Sequence, residues 1–170
     1  MTIGEMMIPE FDQEVQNTRK TLALLPDGQF DYKPHAKSMA LGRLAGHVAE
    51  MTGWISHVLK TDELHMTAKD VPCIAKSRAE LLEQFDKMAA ESREALSKAT
   101  DEQMAAIWTL TWEGKQIFAI PRVACIRGMC LNHTIHHRAQ LGVYYRLLGI
   151  AVPGVYGPSA DEMESMQASA

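Results

Sequence analysis

Asn132-His133-Thr134-Ile135-His136-His137-Arg138 is the stretch whose reading decides the fold. Residues four apart on an α-helix share a face, about 40° out of line, so His133 and His137 can converge on one point. Val123, Ile126, Cys130, Leu141, Tyr144 and Leu148 extend the same stripe in both directions. The segment therefore reads as a helix opened by Pro121, which suits a first turn, and stopped by Gly149. On that reading two imidazoles sit where a helical core expects Leu or Ile. Burying them without partners costs on the order of 1–3 kcal/mol each, so something is expected to satisfy them. A metal ion is one candidate.

Three more amphipathic helices precede this one. The first is expected over 10–25, with Phe11, Val15, Thr18 and Leu22 on one face and Pro26-Asp27-Gly28 as its stop. The second is expected over 38–59, with Ser38 as N-cap and Leu41, Leu44, Val48, Met51, Ile55 and Val58 as its stripe. A loop containing Pro72 follows over 61–76. Ser77-Arg78-Ala79-Glu80 is a capping-box pattern and opens the third helix, which ends near Lys98. Thr100 can start one further short turn. Trp108-Thr109-Leu110-Thr111-Trp112, then Glu113-Gly114, then Lys115-Gln116-Ile117-Phe118 alternate like a hairpin around a tight turn. The chain after Pro153 is expected to lie over the surface or fray. Together these predict an all-α four-helix bundle with a small β-hairpin insertion between helices 3 and 4, as a single domain over 1–170.

A third ligand should come from the inward face of a neighbouring helix. His47 lies three residues after Leu44 and four before Met51, flanking the second stripe, whereas His57 falls on the opposite side. His35 and His65 belong to expected loops, and His136 points about 60° away from His133. His47, His133 and His137 are therefore the candidate metal ligands. Cys130 is a rival on the same face, with a small buried hydrophobe as its more ordinary reading. Three histidines plus solvent leave an open position, as catalytic sites do. Glu50 is the weak candidate for a catalytic residue, as general base or as an acceptor behind a ligand; an exposed helix glutamate needs neither role. Trp54 reads as a core aromatic or as a pocket wall.

Composition bounds the partners. The 170 residues are 46% hydrophobic and 22% charged, which excludes global disorder. Acidic residues outnumber basic ones, 21 to 17, without a Lys/Arg cluster, which argues against nucleic acid. No apolar run approaches the ~20 residues of a membrane span, and the N-terminal residues lack a signal-peptide pattern. Three cysteines without a CxxC pair fit a reducing compartment, so a cytoplasmic location is expected.

Leu41-Gly42-Arg43-Leu44-Ala45-Gly46-His47-Val48-Ala49-Glu50-Met51 resembles the second-helix motif of the DinB-like (DinB/YfiT) superfamily. Leu131-Asn132-His133-Thr134-Ile135-His136-His137-Arg138-Ala139-Gln140-Leu141 is similar to its second motif, and the stretch from Val152 to Glu162 resembles the ending of one subgroup. The resemblance covers nearly the whole chain. It implies a four-helix bundle, frequently a homodimer, holding zinc or nickel through His47, His133 and His137. It further implies a metal-dependent enzyme, most concretely a thiol-dependent S-transferase that joins a low-molecular-weight thiol to a small electrophile. The alternatives are a hydrolase using activated water and a non-catalytic stress-related protein whose metal is structural.

Overall fold

The structure, a computed structural model of the chain, describes residues 1–70, 72–74 and 76–168. Val71 and Ala75 of the expected 61–76 loop, and Ser169 and Ala170 of the tail, lie outside the described residues. The fold is mostly helical with a small three-stranded sheet of order β1-β2-β3.

Helix α1 (Ile3–Leu22) begins seven residues before the expected start. A reciprocal capping box fixes it there: the Glu5 N–H donates to Thr2 Oγ1, and the Thr2 N–H donates to the Glu5 carboxylate. Pro9 lies inside the helix rather than at its boundary. Helix α2 (Leu41–Lys60) has Ala40 and not Ser38 at its N-cap, with no side-chain cap hydrogen bond among the described residues. Its first amides need none, because the Leu41 and Gly42 N–H groups donate to the Tyr32 and Phe30 carbonyls of the preceding loop. A Cβ on Gly42 would press into the Phe30 ring, which ties that glycine to the same contact.

After α2 the chain forms strand β1 (Glu63–Met66), where a loop was expected. It pairs in parallel with β2 (Ile107–Trp112), which pairs antiparallel with β3 (Lys115–Pro121). The hairpin turn has Glu113 at φ 48° and Gly114 at φ 74°, the positive-φ pair that suits right-twisted strands. Buried Arg122 ties the start of β1 to α2: Nε donates to the Val58 carbonyl, and Nη2 to the Thr61 carbonyl and Asp62.

Helix α3 (Arg78–Lys98) is capped by Ser77 Oγ, which accepts from the Glu80 N–H. The Glu80 carboxylate accepts from the Lys76 N–H instead of the cap's own amide, so only half the expected box forms. Thr100 caps the short α4 (Asp101–Ala105). The segment from Pro121 to Gly149 is three pieces rather than one helix: α5 (Arg122–Cys125), a π-helical stretch (Ile126–Asn132) and α6 (His133–Leu147). Gly149, at φ 72°, ends it as expected.

Two apolar clusters meet along α2, whose buried residues run from Leu41 to Leu59. One packs Trp108, Ile55, Phe11, Leu96 and Ile126 beneath the sheet; the other packs Leu44, Val48, Phe85, Leu141 and Tyr145. The tail is docked rather than frayed: α7 (Ala160–Ala168) is held by a two-pronged Arg146–Asp161 pair. Among the described residues no helix is long and apolar enough to cross a membrane.

Candidate metal centre

His47 projects from α2, His133 is the first residue of α6, and His137 lies one turn further on. One ligand atom of each lies within 4.8 Å of the other two. The His133 Nε2 is 2.8 Å from His137 Nε2 and 3.3 Å from His47 Nε2. The side chains are half-buried at the edge of the core rather than inside it. The buried positions of α6 are Thr134, Arg138, Leu141, Tyr144 and Tyr145, so Leu141 and Tyr144 of the expected stripe are in the core, while His133 and His137 leave it to their neighbours Thr134 and Arg138.

Hydrogen bonding behind the rings sets which nitrogen faces inward. His137 Nδ1 lies 2.7 Å from Gln140 Oε1, an acceptor, so Nδ1 carries the proton and Nε2 presents a lone pair. His47 Nδ1 lies 3.8 Å from Glu50 Oε2, which favours the same tautomer there. Burial, then the neighbouring His137 and His47, pulls the His133 pKa down to about 4, although the Met129 carbonyl opposes this. Its Nδ1 is buried without a well-formed hydrogen bond. Burial also lowers His137, against the Gln140 contact. Burial thus favours the neutral form of both rings, the form that can ligate a metal, and their Nε2 atoms lie 2.8 Å apart. Two imidazoles holding one metal at roughly 2.0–2.1 Å place their nitrogens at about this separation, so the donor set fits a divalent ion.

Glu50 does not stand free. Its Oε1 accepts from the Cys73 N–H at 2.7 Å, and its Oε2 faces Arg43 Nη1 at 3.4 Å. Burial pushes the carboxyl up, but His47, the Cys73 amide and Arg43 together hold it below its ordinary value. It braces His47 and anchors the 72–74 loop. Gly46 explains that loop's closeness: a Cβ there would run into the Cys73 carbonyl.

The remaining candidates fall away from the cluster. Cys130 is buried in the core, with its thiol driven up by burial, and is not grouped with the histidines. His57 is half-buried with Nε2 unpartnered, edge-on to Trp108. His35 receives the Lys37 N–H. His65 lies on β1 between Thr111 and Glu63. His136 is exposed beside Gln140. Sequence reasoning missed the burial of Arg138, which pairs with Glu14 at 2.6 Å. The available signal was an arginine one turn after Thr134.

Beside His47 opens a hollow of about 450 Å³, walled by Arg43, Glu50, Trp54, Met66 and Trp112 among others. Trp54 is thus both a core neighbour and a pocket wall. A larger hollow of about 550 Å³ lies between α6 and the tail, but none of the three histidines reaches it. The chemistry favours the smaller one.

A family model for the DinB family matches residues 3–169. The chain is 26% identical over 163 residues to YrdA of Bacillus subtilis (strain 168), a protein described as uncharacterized, covering 91% of this chain and 89% of that one. Among solved structures it is similar to a DinB-like protein from Bacillus cereus ATCC 10987, with TM-score 0.69 and 26% identity over 89% of this chain and 97% of that one. It also shares its fold with the DinB-like YjoA of Bacillus subtilis, with TM-score 0.68 and 19% identity, covering 91% and 99% of the two chains.

Proposed function

The chain belongs to the DinB family, and from that premise we propose that it is a metal-dependent thiol S-transferase acting on small electrophiles. The fold is read as one four-helix-bundle domain over 1–170, in which α1, α2, α3 and the split last helix are the four members. His47, His133 and His137 hold a divalent cation, zinc or nickel. When bound, that ion supplies Lewis acidity and lowers the pKa of a thiol brought to it.

The observation that carries this reading is three converging imidazole nitrogens, one of whose rings, His47, lines a hollow large enough for a small molecule. The chain's residues divide the work. Gln140 and Glu50 orient His137 and His47 from behind. Trp54, Met66 and Trp112 give one side of the hollow an apolar wall for the body of the electrophile. Glu50 is a positioning residue, engaged by Cys73, Arg43 and His47, and this disfavours the hydrolase reading, which asks for a free base near activated water. Three free cysteines, Cys73, Cys125 and Cys130, support a cytoplasmic location. Exposed Val143, Leu147 and Tyr156 along the larger hollow support a homodimer.

The test is conjugation of 1-chloro-2,4-dinitrobenzene by zinc- or nickel-loaded protein with a panel of low-molecular-weight thiols. A C–S bond forms, chloride leaves and the thiol proton goes to buffer. Turnover above the His137→Ala variant is expected with at least one thiol, alongside one metal per chain by elemental analysis in the parent protein. Equal rates in parent and variant with every thiol would remove the proposal.

A further inference from the structure

The hollow beside His47 contains a cation with unspent hydrogen-bonding capacity. Arg43 lies on α2 one turn before His47, on the same helix face, and lines the hollow. A guanidinium carries five N–H donors in a rigid fork. Among the described residues only one of them is used, by Nη1 on Glu50 Oε2 at a long 3.4 Å. The side chain is 28% exposed, so the fork is partly withdrawn from water and still reachable.

The other charged groups of the hollow are already engaged. Glu50 accepts from the Cys73 amide as well as from Arg43. Asp70 Oδ2 accepts from the Thr67 N–H at 2.5 Å and from its hydroxyl at 3.3 Å. Both His65 nitrogens have partners, Thr111 and Glu63. Arg43 is the cation with donors left for a ligand.

The opposite chemistry comes from the two tryptophans. Trp54 is half-buried against the core, and Trp112 is 42% exposed at the end of β2, opposite Met66 in the β1–β2 register. Leu64 and Met66 are the half-buried residues of β1, and both line the hollow. An apolar wall with two indoles suits a flat body, and an unspent guanidinium suits a planar anion bound through two parallel N–H···O contacts.

We propose that Arg43 is the anion-recognition residue of this site, taking the carboxylate of a small acid whose flat apolar body lies against Trp54 and Trp112. The inference deepens the transferase reading by naming its substrate class, and it rests on that reading only for the reaction. Binding through Arg43 requires no metal. The carboxylate could belong to the electrophile or to the thiol; the flat wall selects the electrophile.

The experiment is isothermal titration calorimetry of the full chain, metal-free and zinc-loaded, with phenylacetate, with its uncharged isostere phenylacetamide, and with S-methylglutathione as the thiol-side carboxylate. Phenylacetate is expected to bind both forms. Arg43→Met should weaken it about ten- to a hundredfold, as loss of a charged hydrogen-bonded pair does. Arg43→Lys should fall between, and phenylacetamide should bind the parent about as weakly as phenylacetate binds Arg43→Met. Trp112→Leu, at an exposed strand end, should weaken phenylacetate severalfold and decides the matter if Arg43→Met fails to fold. Unchanged affinity in Arg43→Met, equal affinity for acid and amide, tighter binding of S-methylglutathione, or no binding of phenylacetate would each overturn the proposal. Binding that requires zinc and ignores Arg43 overturns it while leaving the metal reading intact. Arg43-dependent binding by a protein that retains no metal on elemental analysis supports it while the metal reading falls.

Discussion

Replacing Arg138 by Met tests how the helix that carries two of the histidines is held against α1. The Arg138 and Glu14 side chains are 3% and 8% exposed, and Arg138 Nη1 lies 2.6 Å from Glu14 Oε2. Nη1 also donates to Thr18 Oγ1 at 3.1 Å, and Nη2 donates to the Tyr156 hydroxyl at 2.8 Å. That hydroxyl in turn donates to Glu14 Oε1 at 2.9 Å. Methionine would keep most of the volume but strand a buried carboxylate whose Oε2 has no hydrogen-bond partner beyond the ion pair. Breaking one side of such a pair costs about 3–5 kcal/mol. For a chain of this size that is a drop in Tm of roughly 6–20 °C. Urea unfolding followed by far-UV circular dichroism measures it as a fall in midpoint at unchanged slope. Adding Glu14→Leu removes the stranded charge and is expected to restore most of the loss, because a well-packed apolar pair often matches a buried ionic one. A single variant that loses less than about 1 kcal/mol, or a double variant no better than the single, would refute the reasoning.

Gly46→Ala should destabilise, although helix propensity alone predicts a gain of up to about 1 kcal/mol. The new methyl meets the Cys73 carbonyl, so the 72–74 loop must move and the Cys73 amide leaves Glu50. A net loss of about 1–3 kcal/mol in thermal unfolding is expected, and a stabilised variant would count against the contact. Acid should release the tail late. The Arg146 hydrogen bond, with help from the Val152 amide, holds Asp161 down to about 2 from an ordinary 3.8, and the Gly154 and Ser159 amides lower Glu162. Because the docked pKa values are depressed, this contribution is whole above the ordinary carboxyl range and is lost as pH falls toward 2. Amide exchange of α7 between pH 6 and pH 2 follows it, and undocking already complete at pH 5 would be the contrary result.

The reach of sequence reasoning depends on how local each signal is. The hairpin was legible because period-2 alternation surrounds Glu113-Gly114, and the turn needs positive φ at both. Strand β1 was not, since four residues of mixed polarity become a strand only beside an edge more than forty positions later, where Glu63 faces Thr109. The grouping of His47, His133 and His137 could be read from spacing on two helices. Their depth could not, because the spacing alone does not say that Thr134 and Arg138 take the core side of that turn and leave the two rings half-buried. The burial of Arg138 was not legible either, for the partner that buries it lies on α1.

The Glu14 carboxylate also dictates an order of events. Its two partners come 124 and 142 positions later, in Arg138 and Tyr156. At synthesis rates of about 5–20 residues per second, a nascent chain waits roughly 7–30 s between making Glu14 and making the tyrosine that completes its cluster. Until α6 is made, α1 carries an unpaired acidic group on the face it buries, and Arg138 brings the counter-charge with that helix. The tail then adds the Tyr156 hydroxyl to a pair already formed.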